Sequence, residues 1–209
     1  DAPSYPPKDD QLNENMVLLV LAGPHYKTGR APLAWIGLPA SSANADFTAR
    51  DQMPPAALSW KATLEGALAN AGKRVPDIGF VIHDANNRLP DSGERMRHLA
   101  HVLALDVPVF DYTKQTFNTP ALLGEMGAGT ALTNVALGIA YANHLGKNVL
   151  VAGTSDPART TAVLVTPPAT VRPIEPDKPW FRARSGNHAY LMWWGIRHDE
   201  QVRMQGWSN

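Results

Sequence analysis

Residues 122–145 read LLGEMGAGTALTNVALGIAYANHL, and this stretch decides which fold the sequence predicts. Between Gly127 and Ala142 it contains no charged residue, and glycine and alanine recur along it. A helix that is apolar on all sides lies inside a protein. Each glycine in a helix interior costs up to about 1 kcal/mol relative to alanine, so repeated glycines indicate that neighbouring backbones approach closely. We therefore predict a buried Gly/Ala-rich helix here, ended by Gly146.

Short apolar runs on both sides of this helix are typical of strands buried in a sheet. Two more helices, over 56–71 and from Asp91 or Ser92 onward, alternate with them. The strands are predicted at 16–22, 33–38, 78–82, 107–110, 148–152 and 161–166. This order predicts an α/β domain with a mixed, mostly parallel sheet flanked by helices, closed by a hairpin around Gly153–Pro157.

Polar and proline-rich segments flank this alternating pattern. Residues 1–15 are predicted to form an irregular arm, and residues 16–166 the α/β domain. Residues 167–209 are predicted to be a proline-rich strap followed by an irregular tail rich in tryptophan and arginine.

The composition excludes several classes of function. Lysine plus arginine and aspartate plus glutamate number 19 each, so no net charge favours nucleic acid as a partner. The chain has no cysteine, which excludes disulfides, zinc–thiolate sites and a cysteine nucleophile. No apolar run reaches the roughly 20 residues that a membrane span needs.

Several motifs, taken in order, resemble one half of the thiolase-like fold, namely the C-terminal half of a ketosynthase. The stretch from His83 to Glu94 is similar to the segment in which a His-Gly-Thr-Gly-Thr loop precedes Asp and Glu. Thr113-Lys114 resembles the Thr-Lys pair of that family, and Gly124–Gly129 resembles its Gly-His-x-x-Gly-Ala-Ala-Gly helix start. The resemblance covers residues 57–166 and implies the thiolase-like fold.

The chain departs from the family at the reactive groups. The resemblance implies a cysteine nucleophile, two histidines and a lysine, but only His83 and Lys114 match, and Glu125 occupies the second histidine's place. We therefore interpret the chain as a non-catalytic domain that needs no cofactor. The alternative is an acyl-binding or residual acyl-transfer domain in which His83 and Lys114 would be catalytic.

A thiolase-like half without its reactive groups, followed by a Trp/Arg-rich tail, is also similar to bacterial type VI secretion lipase adaptor proteins. This second resemblance implies a cytoplasmic adaptor or chaperone-like domain that loads a secreted lipase effector onto the secretion machine. Because a thiolase-like half normally packs against a sister half, a second copy or an upstream sister half-domain is a further expected partner.

The tail supplies the candidate binding residues. Tryptophan and arginine are enriched in the residues that dominate binding energy at protein interfaces. The candidates are Trp193, Trp194, Trp207, Arg197 and Arg203. The alternative is that these tryptophans cover the domain's own sheet edge or core.

One helix face suggests a metal site. Glu94, His98 and His101 are spaced to share a face of the second helix. No fourth ligand is evident in the sequence, so we interpret this face as solvated and predict no metal site.

Overall fold

The computed structural model describes residues 15–27, 29–86, 91–107 and 109–173. Within these ranges one six-stranded sheet runs in the order β1-β6-β5-β3-β4, and β2 also pairs with β6. The strands are β1 (Trp35–Ile36), β2 (Ala40–Ala43), β3 (Ile78–His83), β4 (Thr116–Asn118), β5 (Asn148–Gly153) and β6 (Arg159–Thr166). The helices are α1 (Pro55–Asn70), α2 (Ser92–Asp106), α3 (Thr119–Leu123) and α4 (Thr130–Leu145).

The sheet is mixed, as predicted. Strand β3 runs parallel to β4 and β5, and His83 at its end faces Asn118 on one side and Ala152 on the other. We call this end of the sheet the carboxyl edge. Strand β6 pairs antiparallel with β5, β1 and β2, so the antiparallel share of the sheet is larger than the sequence indicated.

Helices α1 and α2 cover one face of the sheet. Helix α1 begins at Pro55, where the missing N–H of proline leaves no hydrogen bond unmade, and Gly72 follows its end with φ +64°. Its side chains Trp60, Leu64 and Leu68 are almost fully buried. They join buried residues of α2 and of the sheet in one apolar core, which includes Leu99, Leu103, Val81, Leu150 and Leu164.

Helix α4 covers the opposite face of the sheet, but it is shorter and less buried than predicted. Gly124 and Gly127 have positive φ angles, so the predicted helix breaks there and α4 starts only at Thr130. One stripe is buried, made of Thr130, Asn134, Gly138, Ala142 and Asn143. The prediction of burial on all sides is wrong, because a helix without charges buries only the faces that another element covers. Leu132 and Leu145 are about half exposed.

Gly138 explains how α4 lies so close to the sheet. A β-carbon at this position would stand 3.2 Å from Val151 Cγ2 and 3.4 Å from Val165 Cγ2. This confirms that a glycine of the stretch allows a close approach, here between the helix and the side chains of the sheet.

Two predicted strands are absent from the sheet. Residues 16–22 form no strand, because an apolar run needs a neighbouring strand and no described residue pairs with it. Val107, Val109 and Phe110 also form no strand, and Val109 is 89% exposed. The strand forms later in the chain, at β4. Before it the chain makes a turn, in which the Asp111 carboxylate accepts hydrogen bonds from the N–H groups of Thr113 and Lys114.

The segment before α1 holds two short strands instead of the single one predicted at 33–38. Only Trp35–Ile36 of that run is a strand. The second short strand, β2, consists of the small residues Ala-Ser-Ser-Ala. A hydrogen bond that the Ser59 hydroxyl donates to the Ser42 carbonyl joins it to α1.

The predicted arm, apart from Asn15, and residues 174–209 of the predicted tail lie outside the described residues. Over the ranges that are described, no helix combines the length and hydropathy that crossing a bilayer requires.

Candidate functional site

Polar side chains gather at the carboxyl edge, where ligands bind in open α/β sheets. They come from the end of β3, the start of α2, the β5–β6 turn and the segment before α4. We call them the carboxyl-edge cluster, which consists of His83, Asp84, Asn86, Ser92, Arg95, Glu125 and Thr154.

His83 is the histidine that the sequence proposed as catalytic, and it is only 5% exposed. Its Nδ1 atom accepts a hydrogen bond of 3.3 Å from the Ala85 N–H, so the neutral ring carries its proton on Nε2. Burial lowers the pKa of His83 to about 4. At neutral pH the ring is therefore uncharged, and its Nδ1 atom already accepts a hydrogen bond from the backbone.

Asp84 joins the end of β3 to the β5–β6 turn. Its carboxylate accepts a bond of 2.6 Å from the Thr154 N–H and one of 2.9 Å from the Thr154 hydroxyl. Burial raises the pKa of Asp84, the two bonds from Thr154 oppose that rise, and the negative charge of Glu125 adds to it.

Helix α2 is tied to the same turn. The Ser92 hydroxyl accepts from the Asn86 N–H at 3.0 Å and lies 3.2 Å from the Thr154 hydroxyl. Arg95 is 6% exposed, and its Nε donates to the Thr154 carbonyl at 2.8 Å. The helix starts at Ser92, the second of the two predicted starts, and Asp91 before it has φ 60° and makes no capping bond with its side chain.

Glu125 occupies the position where the resemblance would place the second histidine. Each of its two carboxylate oxygens accepts a hydrogen bond from another protein group. One carboxylate oxygen accepts a 2.7 Å bond from the Gly127 N–H just before α4. The other accepts from the Asn86 side-chain amide. Glu125 therefore links the loop after β3 to the segment that leads into α4.

Lys114 does not belong to this cluster. It precedes β4, its side chain is 83% exposed, and its Nζ lies 3.2 Å from an oxygen of Asp111. Since Thr116 at the start of β4 faces Val81 in the parallel pair, Lys114 lies before the amino end of β4, whereas His83 is the last residue of β3. The two residues proposed for acyl transfer are therefore not brought together.

The remaining candidates lie elsewhere. The binding residues proposed in the tail fall outside the described residues. On α2, His98 Nε2 is 3.9 Å from a Glu94 oxygen, and the part of the chain with described structure contains no group of three side chains able to hold a metal ion.

Sequence reasoning singled out His83 and Asp84 at the end of a strand and placed Glu125 at the second histidine's position, but it missed that Asn86, Ser92, Arg95 and Thr154 join them in one cluster. The available signal was that polar residues directly follow β3 and β5, whose carboxyl ends meet at one edge. The arrangement fastens three loops and α2 to one another through mutual hydrogen bonds.

Comparison with known proteins agrees with this fold. The family model described as type VI lipase adapter protein Tla3, C-terminal, matches residues 41–167. No curated protein sequence matches the chain.

Among solved structures, similarity to this chain comes at low sequence identity. The PfaC keto synthase–chain length factor has a TM-score of 0.51 and 14% identity over 68% of this chain and 14% of its own. The ishigamide ketosynthase/chain length factor has a TM-score of 0.48 and 20% identity over 66% of this chain and 36% of its own. Human mitochondrial 3-ketoacyl-CoA thiolase has a TM-score of 0.48 and 16% identity over 68% of this chain and 32% of its own. The chain thus spans well under half the length of these proteins.

Proposed function

Because the chain belongs to the C-terminal family of the type VI lipase adapter protein Tla3, we propose that it binds a lipase effector in the bacterial cytoplasm and has no catalytic activity of its own. It would then hand the lipase to the type VI secretion machine. The family match supports the choice of partner, and the carboxyl-edge cluster supports the absence of catalysis.

The observation that carries the non-catalytic proposal is the separation of His83 from Lys114. Acyl transfer in a site of this type needs a nucleophile and a general acid or base within hydrogen-bond reach. Here the exposed Lys114 precedes the amino end of β4 while the buried His83 ends β3, the chain has no cysteine, and His83 Nδ1 accepts a bond from the Ala85 N–H.

Lipase binding is tested by titrating the purified chain with a type VI lipase effector from the same bacterium in a calorimeter. We expect a one-to-one complex with a dissociation constant in the micromolar range or tighter. An unrelated lipase that is not secreted by this route is the specificity control. Failure to bind any such effector, with the chain shown to be folded, would overturn the proposal.

The tail residues Trp193, Trp194, Trp207, Arg197 and Arg203 are proposed to contact the lipase. Truncating an interface hot spot costs at least about 2 kcal/mol, which weakens binding roughly 30-fold. We expect at least one alanine variant of this set to show that loss. Leu105→Ala, at an exposed apolar position on α2, is the matched control and should bind normally.

The absence of catalysis is tested separately by following thiol release from acyl-CoA substrates. We expect no release above the buffer rate. A measurable rate that falls in His83→Ala would show instead a residual acyl-transfer activity. Loading is tested in cells, where deleting the adaptor should abolish secretion of the lipase without lowering its synthesis.

A further inference from the structure

The segment Met16–Ala22, MVLLVLA, is apolar along its whole length but lies outside the sheet. Met16, Leu18 and Val20 are 94%, 85% and 91% exposed, whereas Val17 and Leu19 are only partly exposed. From Met16 to Val20 exposure thus alternates with the two-residue period of an extended chain, and Leu21 is 71% exposed as well. No backbone hydrogen bond links residues 16–22 to any other described residue.

The start of this segment is fixed beside α4. The Asn15 side-chain amide donates to Met126 Sδ at 3.0 Å and also to the Thr133 hydroxyl in the first turn of α4. The segment is therefore held on the helix-α4 side of the domain, where Leu132 is also half exposed.

Its chemistry specifies a β-strand as the partner. Valine is enriched in strands, and unpaired N–H and C=O groups along an extended chain are a template for another strand. Three neighbouring large apolar side chains in water are also unfavourable, since burial gains about 25 cal/mol per Å².

The charges on either side of the segment indicate which strand this is. Residues 8–14 carry three acidic groups, Asp9, Asp10 and Glu14, and one basic group, Lys8. Residues 24–30 carry His25, Lys27 and Arg30 and no acidic one. Two antiparallel copies would bring the acidic flank of each beside the basic flank of the other, whereas parallel pairing would put like charges together.

We propose that residues 16–22 pair antiparallel with the same segment of a second copy of this chain, about a two-fold axis at Leu19. Such a contact is self-complementary, as a symmetric dimer requires. In this register Leu18 of each copy faces Val20 of the other, and no charge lies between Asn15 and Gly23. This inference does not depend on the identity of the lipase.

The test uses the full chain in sedimentation velocity experiments over a range of concentrations. We expect the wild type to reach twice its 22.7 kDa mass. Leu18→Glu and Val20→Lys should each weaken dimerisation roughly tenfold or more, because each sets a charge against an apolar side chain. Mixing the two single variants should restore a dimer, since the introduced carboxylate of one copy then faces the introduced ammonium group of the other.

Val109→Lys is the matched control, because Val109 is equally exposed and lies outside the segment, so its dimerisation should equal that of the wild type. Circular dichroism establishes that all variants fold. A wild-type chain that stays monomeric at high concentration would overturn the proposal. So would a dimer that tolerates Leu18→Glu, or a mixture of the two single variants that stays monomeric.

Discussion

The Asp84 carboxylate accepts both the backbone N–H and the hydroxyl of Thr154, at 2.6 Å and 2.9 Å. These two residues lie 70 positions apart and join the loop after β3 to the turn between β5 and β6. Asp84 therefore holds together the carboxyl edge, where ligands bind in open α/β sheets, through contacts between protein groups.

Replacing Asp84 with alanine is expected to destabilise the protein by about 2 kcal/mol, because two donors of Thr154 lose their buried acceptor. Asp84→Asn should cost less, since both bonds reach one carboxylate oxygen and the amide oxygen of asparagine is also an acceptor. The free energy of unfolding in urea measures both. Asp156→Ala, at an exposed aspartate in the same turn, is the control and should lose less than Asp84→Ala.

Acid should destabilise the fold through His83. Its pKa is lowered from 6.5 to about 4 by burial, so the unfolded chain binds this proton at a higher pH than the folded chain does. The stabilisation that depends on the neutral His83 ring is present in full above pH 6.5. It is lost as the pH falls toward 4, and the total loss in the free energy of unfolding is about 3 kcal/mol.

His83→Asn should flatten that part of the profile, because asparagine keeps an acceptor for the Ala85 N–H but has no ionisable group. Melting temperatures between about pH 7 and about pH 4.5 provide the measurement, and His101→Asn on the exposed surface of α2 is the control. An equal acid slope in the wild type and His83→Asn would contradict the assignment.

The Thr160 hydroxyl stabilises the packing of α1 on β6. It lies 2.8 Å from the Ser59 hydroxyl and 2.7 Å from the Thr63 hydroxyl, and all three residues are buried. Thr160→Val keeps the shape but removes the shared partner, so we expect a loss of roughly 1 to 2 kcal/mol. Thr161→Val, on the exposed face of the same strand, should be close to neutral in the same denaturation experiment.

Gly138→Val should destabilise the domain by about 1 to 3 kcal/mol, because its side chain would enter the space held by Val151 and Val165. Ala140→Val introduces the same residue on the exposed side of α4 and should cost only a few tenths of a kcal/mol in helix propensity. Equal losses in the two variants would show that contact with the sheet does not limit residue size at position 138.

The parts of the fold that sequence reasoning predicted well are those with strong local patterns. Strands β3 and β5 are apolar runs in a sheet covered on both faces, and α1 has proline at its start and glycine after its end. Strand β2 could not be found this way, because Ala-Ser-Ser-Ala has little strand preference and is positioned by its pairing with β6.

The failures have a common physical cause. The runs at 16–22 and 107–110 are apolar enough for strands, but strand formation depends on partners that local sequence does not reveal. Local sequence also does not reveal which loops meet to form the carboxyl-edge cluster. His83 could be located at the end of a strand, but its separation from Lys114 depends on the register of β3 with β4.

The buried stripe of α4 advances by four residues at a time, from Thr130 through Asn134 and Gly138 to Ala142. Four residues turn an ideal α-helix by about 400°, so each step moves the contact line about 40° around the axis. A line that winds in this way matches the twist that β-sheets carry. Inserting one residue before Gly138 would rotate the preceding half of the helix by about 100° relative to the rest, so changes in length are tolerable only at its two ends.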